Sequence, residues 1–273
     1  MPDRPPPPGL DYGGVSLAFL AVALASVLVA DLRVMALDPW SELARLLGGV
    51  ITPDFTVISL ASVALTVAFA VLGVLAGASC GFVLALLFAR SRAVRVFCAA
   101  IRSIHEMFWA LLLIQVTGLS PATGILAIAI PYAGIFGKVF AEQMEEADLS
   151  AERVLPAGTS LVSRFIYARL PVLAGPFGDY LLYRLECGLR STLVLGFIGL
   201  PTMGFELESY FRQGHYAEAA ALVAMFYLLE TVLAPIWVWM IFSETPSTRS
   251  LIGGAILVVA LVAHSLWQIH HSR

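Results

Sequence analysis

Asp179, Arg184, Glu186 and Arg190 fall inside a run, 173–199, that is otherwise apolar. Ionisable side chains are costly in an apolar span, so they pair with one another, face a water-filled path or meet a charged solute. Glu186 and Arg190 are four residues apart with the acid first, the favourable order for an ion pair on one helix. Arg184 and Asp179 are five apart and do not meet on a helix. Arg184 is therefore expected to seek Glu106, in the apolar run 97–117, or a residue of a partner copy. A guanidinium on a solute path can hold an oxyanion through two parallel hydrogen bonds. The same four residues could instead form a buried network that fixes helix register. The residues themselves leave both readings open.

A second constellation is "ERVLPAGTSLVSRFIYARLP", Glu152 to Pro171. Ser150 is placed to cap a short helix, and Glu152 in its first turn suits the helix dipole. Pro156 ends that helix, because its ring clashes with the carbonyl four residues back. Gly158 permits a sharp turn. Leu161, Val162, Phe165 and Ile166 then repeat at helical spacing and predict an apolar face. Arg164 and Arg169 fall off that face, and Pro171 closes the helix and opens the next span. The stretch reads as helix, turn, helix. Taken by itself it equally fits an amphipathic helix lying on a bilayer.

The elements that must position these residues are membrane spans. Of the 273 residues, 59% are hydrophobic and only 13% charged, whereas soluble domains carry about 25% charged residues. Apolar runs long enough to cross a bilayer occur at 14–36, 57–89, 97–117, 122–141, 173–199, 217–242 and 251–268. The second is over-long and is expected to tilt or bend near Gly73 and Gly77. "GLSPA" (Gly118–Ala122) predicts a helical hairpin between the third and fourth. Arg90, Arg92 and Arg95, then Arg153, Arg164 and Arg169, then Arg249 fall in alternate loops on one side, together with Arg4. By the positive-inside rule that side is cytoplasmic. Arg33, Arg45, Arg212 and Arg273 fall on the other.

Several chemistries are excluded. "HEMFW" (His105–Trp109) has Trp109 where a zinc-protease motif needs its second histidine. No GxxxxGK[ST] phosphate loop is present, and Gly137-Lys138 is followed by Val139. Cys80, Cys98 and Cys187 lack metal-ligand spacing. His270 and His271 read as solvated tail residues. The net charge is −3 with no dense basic patch, so no nucleic-acid partner is expected. Gly73, Gly77 and Gly81 stand at intervals of four, which lets helices approach closely. An intramembrane enzyme would need catalytic groups clustered at one depth around His105 or Glu106, and none is evident. An assembly protein with an amphipathic cytoplasmic helix is the other non-transport reading.

The spacing Glu152, Gly158, Leu170-Pro171 resembles the EAA loop of ABC importer permeases. Arg153 and Val154 replace its two alanines, and Ala168 stands where isoleucine is usual. "RSIHEMFWALLL" (Arg102–Leu113), "DYLLYRLECGLRSTLVLGFIG" (Asp179–Gly199) and "TPDF" before the second span are similar to segments of the phosphonate-type permeases. Where that family continues A-G-G-I-G, this chain has "LPTMG" (Leu200–Gly204), and it adds a seventh span.

The resemblance implies an all-α integral membrane protein. It would be a polytopic bundle of about seven transmembrane helices with a type I (MetI-like) permease core. It divides the chain into a cytoplasmic tail (1–13), a first helix and external loop (14–56), the permease core (57–242) with a coupling loop (142–171), and an extra helix and tail (243–273). The chain would sit in a bacterial inner membrane as a non-enzymatic subunit. Its expected partners are two cytoplasmic ATPases, a second permease copy or sister permease, a periplasmic binding protein and lipid. The ATPases would hold the ATP and Mg, leaving no cofactor in this chain. Glu152, Ala157, Gly158, Thr159, Arg164, Leu170 and Pro171 would meet the ATPase. Glu106, Asp179, Arg184, Glu186 and Arg190 would form the pathway or its charge network.

Overall fold

The computed structural model describes residues 12–30, 38–148, 150–156, 158–242 and short pieces between 247 and 263. The expectations on residues 1–11, Arg4, Arg33, Ala157, Arg249, His270, His271, Arg273 and most of 251–268 lie outside the described residues. The chain forms two compact units, 1–45 and 46–273. The first holds α1 (Tyr12–Val29), uniformly apolar, and the start of α2 (Pro39–Ile51). There Arg45 pairs with Glu42 at 2.7 Å, one helical turn away.

The second unit is built on α3 (Leu60–Phe88) and α6 (Pro121–Glu146). Ser59 caps α3 by accepting from the Ser62 N–H, and Ser120 caps α6 with Pro121 in its first turn. Gly73, Gly77 and Gly81 of α3 lie against Ile128, Tyr132 and Phe136 of α6. Both series advance by four in the same direction, so the two helices run parallel, ridge against groove. The second span is one unbroken helix, whose glycines serve close approach to α6. A methyl group at Gly77 would lie 2.7 Å from Tyr132 Cβ and 3.0 Å from the Ala129 carbonyl oxygen. Gly77→Leu is expected to cost about 1–3 kcal/mol through overpacking, read as a lowered midpoint of thermal unfolding in detergent.

Because α3 and α6 are parallel, the segment between them must return the chain. It does so as α4 (Arg92–Ser103) and α5 (Glu106–Thr117), bent by 94° at Ile104–His105. The third expected span is thus a broken one. His105 stops α4 and starts α5: its Nδ1 accepts from the Met107 N–H at 3.2 Å. The Trp109 indole ties across the elbow to the Ile101 carbonyl at 3.3 Å. The predicted turn between α5 and α6 forms at Gly118, with φ 66°.

α8 (Leu170–Gly196) packs on this core through aromatic side chains, with Phe140–Phe177 centroids 4.3 Å apart and Phe136–Tyr180 5.6 Å. α9 (Met203–Arg212) is tied back to α3, where the Met203 N–H donates to Thr66 Oγ1 at 3.0 Å and Ser62 Oγ to Glu206 at 2.9 Å. α10 (Tyr216–Phe242) completes the unit. By length and composition, α3, α6 and Tyr216–Trp237 can cross a membrane, and the bent pair, taken as one span, adds a fourth. α8 is long enough at 27 residues but carries the four charges, and α1 is short at 18. The described residues form no strand. They make a polytopic all-helical fold, but do not complete the expected seven spans.

Candidate functional site

The connection between α6 and α8 begins later than expected, since α6 continues through Glu142 to Glu146. Asp148, not Ser150, caps the next turn: its carboxylate accepts from the Ser150 N–H at 2.8 Å and the Ser150 hydroxyl at 2.9 Å. These bonds hold the Asp148 carboxyl below its usual range. A 3-10 turn, Ser150–Val154, carries Glu152. Gly158 follows with φ 94°, a conformation side chains resist. Thr159 bonds back to the Pro156 carbonyl at 2.7 Å. Ser160 then caps α7 (Leu161–Arg164).

Pro171 does not close this helix. α7 passes through a widened π turn, Phe165–Arg169, directly into α8. The Leu170 N–H reaches back five residues to the Phe165 carbonyl. Pro171 has no N–H to donate and its ring presses on the carbonyl four residues back, which a wider turn relieves.

The predicted apolar face divides. Phe165 turns inward to an edge contact with Phe82 at 6.1 Å. Val154, Leu161, Val162, Ile166 and Tyr167 stay exposed. Beneath them Arg169 donates to Glu152. That bond, with the fields of Arg169 and Arg164, holds the Glu152 carboxyl below the usual carboxylate range against a partly opposing desolvation. Arg164 is half-buried, with its Nε unpartnered. Leu170 opens α8. The loop is thus folded back on the start of α8 and presents an apolar surface outward.

Along α8, Val172, Pro176, Asp179, Tyr183 and Arg190 are exposed, with Glu186 between them on the same face. Leu182, Leu185 and Leu189 face the core. A face carrying two acids and an arginine cannot rest against hydrocarbon; it meets water or protein. Glu186 and Arg190 do approach, at 3.7 Å, but the shorter bond of Arg190 is to Glu230 of α10, at 2.6 Å. A cleft of about 320 Å³ beside them is lined by Arg190, Leu193, Leu207, Val223, Phe226, Tyr227 and Glu230. Glu230 is 8% exposed. It was legible as an acid within the run 217–242, but nothing in the spacing connected it to Arg190, forty residues earlier.

Arg184 does not reach Glu106. Its Nε and Nη2 donate to the Tyr180 hydroxyl at 2.9 and 2.7 Å, and its guanidinium lies over the Tyr180 and Tyr183 rings. Glu106 instead opens α5 beside His105, 3.8 Å away. Asp179 has no basic partner among the described residues within ion-pair distance. The five expected charges therefore separate into an Arg190 triad that holds Glu186, an Arg184–tyrosine group, Glu106 beside His105, and Asp179 with no basic partner among the described residues.

No family model matches the chain. It is 28% identical over 233 residues to a phosphite transport system permease protein of Stutzerimonas stutzeri, covering 81% of this chain and 85% of that protein. It is 31% identical over 172 residues to a phosphate-import permease protein of Mycolicibacterium smegmatis, covering 59% of this chain and 32% of that protein. It is 26% identical over 110 residues to a cryptic phosphonate transport system permease protein of Escherichia coli, covering 40% of this chain and 90% of that protein. The crystal structure of an amino acid ABC transporter has the same fold, with TM-score 0.58 at 14% identity, covering 77% of this chain and 100% of that one.

Proposed function

We propose that this chain, whose homologues are the permease subunits of phosphite, phosphonate and phosphate transport systems, is the membrane-spanning subunit of an ATP-driven ABC importer for a small phosphorus oxyanion. The observation that carries the reading is the alignment over 81% of the chain with a phosphite permease. The folded-back loop with an apolar outer face supports it. Cytoplasmic ATPase subunits dock on Val154, Leu161 and Val162 and bind the ATP and Mg. The arginine-rich loops support a cytoplasmic position for this surface at a bacterial inner membrane. The polar outward face of α8 meets a second permease across the translocation path. A binding protein delivers the solute from outside and sets most of the selectivity.

The test is co-purification with the ATPase encoded beside the chain. At Gly158, φ 94° is strained for any other residue, at about 1–3 kcal/mol. Gly158→Leu is expected to release the ATPase while the chain stays folded. Stable recovery of the unaltered chain without any ATPase would sink the reading.

A further inference from the structure

Two arginines lie on α8, and the structure gives them opposite electrostatic situations. Arg190 has two carboxylates within 4.0 Å, Glu186 and Glu230. That triad is net negative when both acids are ionised, so it repels an anion rather than attracting one. Arg184 has no carboxylate at that distance among the described residues. Its hydrogen-bond partner is a neutral phenol. Its guanidinium lies 5.1 Å from the Tyr180 ring centroid and 5.3 Å from that of Tyr183. Aromatic faces stabilise a cation without cancelling its charge.

We propose that Arg184, with the hydroxyl of Tyr180, is the oxyanion subsite of the translocation path, and that Arg190 is a strut between α8 and α10. The inference rests on the proposed transport function and names where that solute binds. A guanidinium has five N–H donors. Two are engaged by the single phenol oxygen, leaving three for the solute. The phenol oxygen, accepting from Arg184, keeps its own O–H to donate. A tetrahedral oxyanion can therefore take two parallel N–H bonds and one O–H bond from adjoining groups. Tyr183, 56% exposed, opens the group toward the outward face of α8. An unneutralised arginine in a span is expensive to keep, and a passing anion is a partner that the described residues do not supply. Its weak, incomplete cage suits a path that must release what it holds.

The experiment uses the complete importer, permease with ATPase and binding protein, in proteoliposomes. Phosphite, methylphosphonate and inorganic phosphate are the probes. Arg184→Gln is expected to lower uptake at least tenfold in an assembled complex. Arg184→Lys should recover part of that rate. Tyr180→Phe keeps both the ring and the charge, and should raise KM several-fold with kcat little changed. If the unaltered complex imports none of the three probes, the transport reading itself fails. If it imports one of them, and assembled Arg184→Gln imports it equally well, the subsite is overturned. Should Arg184→Gln not assemble, an unchanged KM in Tyr180→Phe overturns it instead.

Discussion

Exchanging Arg190 for methionine is expected to destabilise the chain by on the order of 2 kcal/mol, while exchanging Arg190 and Glu230 together costs less. The asymmetry comes from burial. Glu230 is 8% exposed and Arg190 63%, so removing the arginine strands a carboxylate that has little access to water. Breaking a fully buried pair from one side costs about 3–5 kcal/mol, and the exposure of Arg190 reduces that figure. Removing both charges leaves only Glu186 without its arginine, and at 40% exposed it keeps access to water; the net worth of a polar contact between membrane helices averages only about 0.6 kcal/mol. Thermal unfolding of the two single variants and the double variant in detergent measures this directly. A double variant as unstable as Arg190→Met alone would show that the loss lies in packing. The same proteins separate strut from pathway: if Arg190 only braces α8 against α10, the stable double variant still imports. Loss of uptake in that stable protein would return Arg190 to the solute path.

The sequence disclosed what depends on short-range pattern. α3, α6 and α10 were legible as apolar runs. The turn at Gly118 was legible from its Gly and Pro, and the sharp turn at Gly158 from Pro-x-Gly. The Glu186–Arg190 approach was legible because four residues is one helical turn. What depends on distant partners was not. The 94° elbow at His105 lies at Arg102-Ser103-Ile104-His105-Glu106, a short polar break inside the run 97–117; the break alone does not give a bend, which shows only once His105 caps α5. The glycines of α3 pointed to a bend when read along one helix. Only their register against Ile128, Tyr132 and Phe136 reveals a packing seam. Pro171 signalled a helix end, but a π turn absorbed its missing donor. Arg184 was expected to find an acid, and its nearest partner is Tyr180, four residues back on the same helix. That partner is invisible to charge pairing, because a phenol oxygen accepts hydrogen bonds without carrying a charge.

Reversing the charge at Glu152 is expected to separate ATP hydrolysis from transport. Among the described residues between α6 and α7, only the 3-10 turn Ser150–Val154 is regular, so a push on the exposed apolar face would be lost in the loop itself. Arg169 prevents this by bonding to Glu152 across 17 residues of chain. The bond ties the 3-10 turn to the last residue of the π turn, immediately before α8, the helix that carries Arg184. If ATPases dock there as proposed, motion of that surface passes to α8 as a rigid-body displacement. In Glu152→Arg, two guanidinium groups meet where a pair stood. Hydrolysis should continue while uptake falls about tenfold, equivalent to about 1.4 kcal/mol in coupling. Exchanging the two residues, Glu152→Arg with Arg169→Glu, should restore much of the uptake. Failure of the exchange to restore it would show that Glu152 acts on the ATPase rather than on Arg169. The pH dependence points the same way. The folded-state pKa of Glu152 is depressed, so its contribution is fully present above the unfolded carboxylate value, about 4.3. It is lost only as pH falls through the lower, folded value. Coupling should therefore be flat from about pH 5.5 to 8. A loss of coupling centred near neutrality would require a different group to hold the loop.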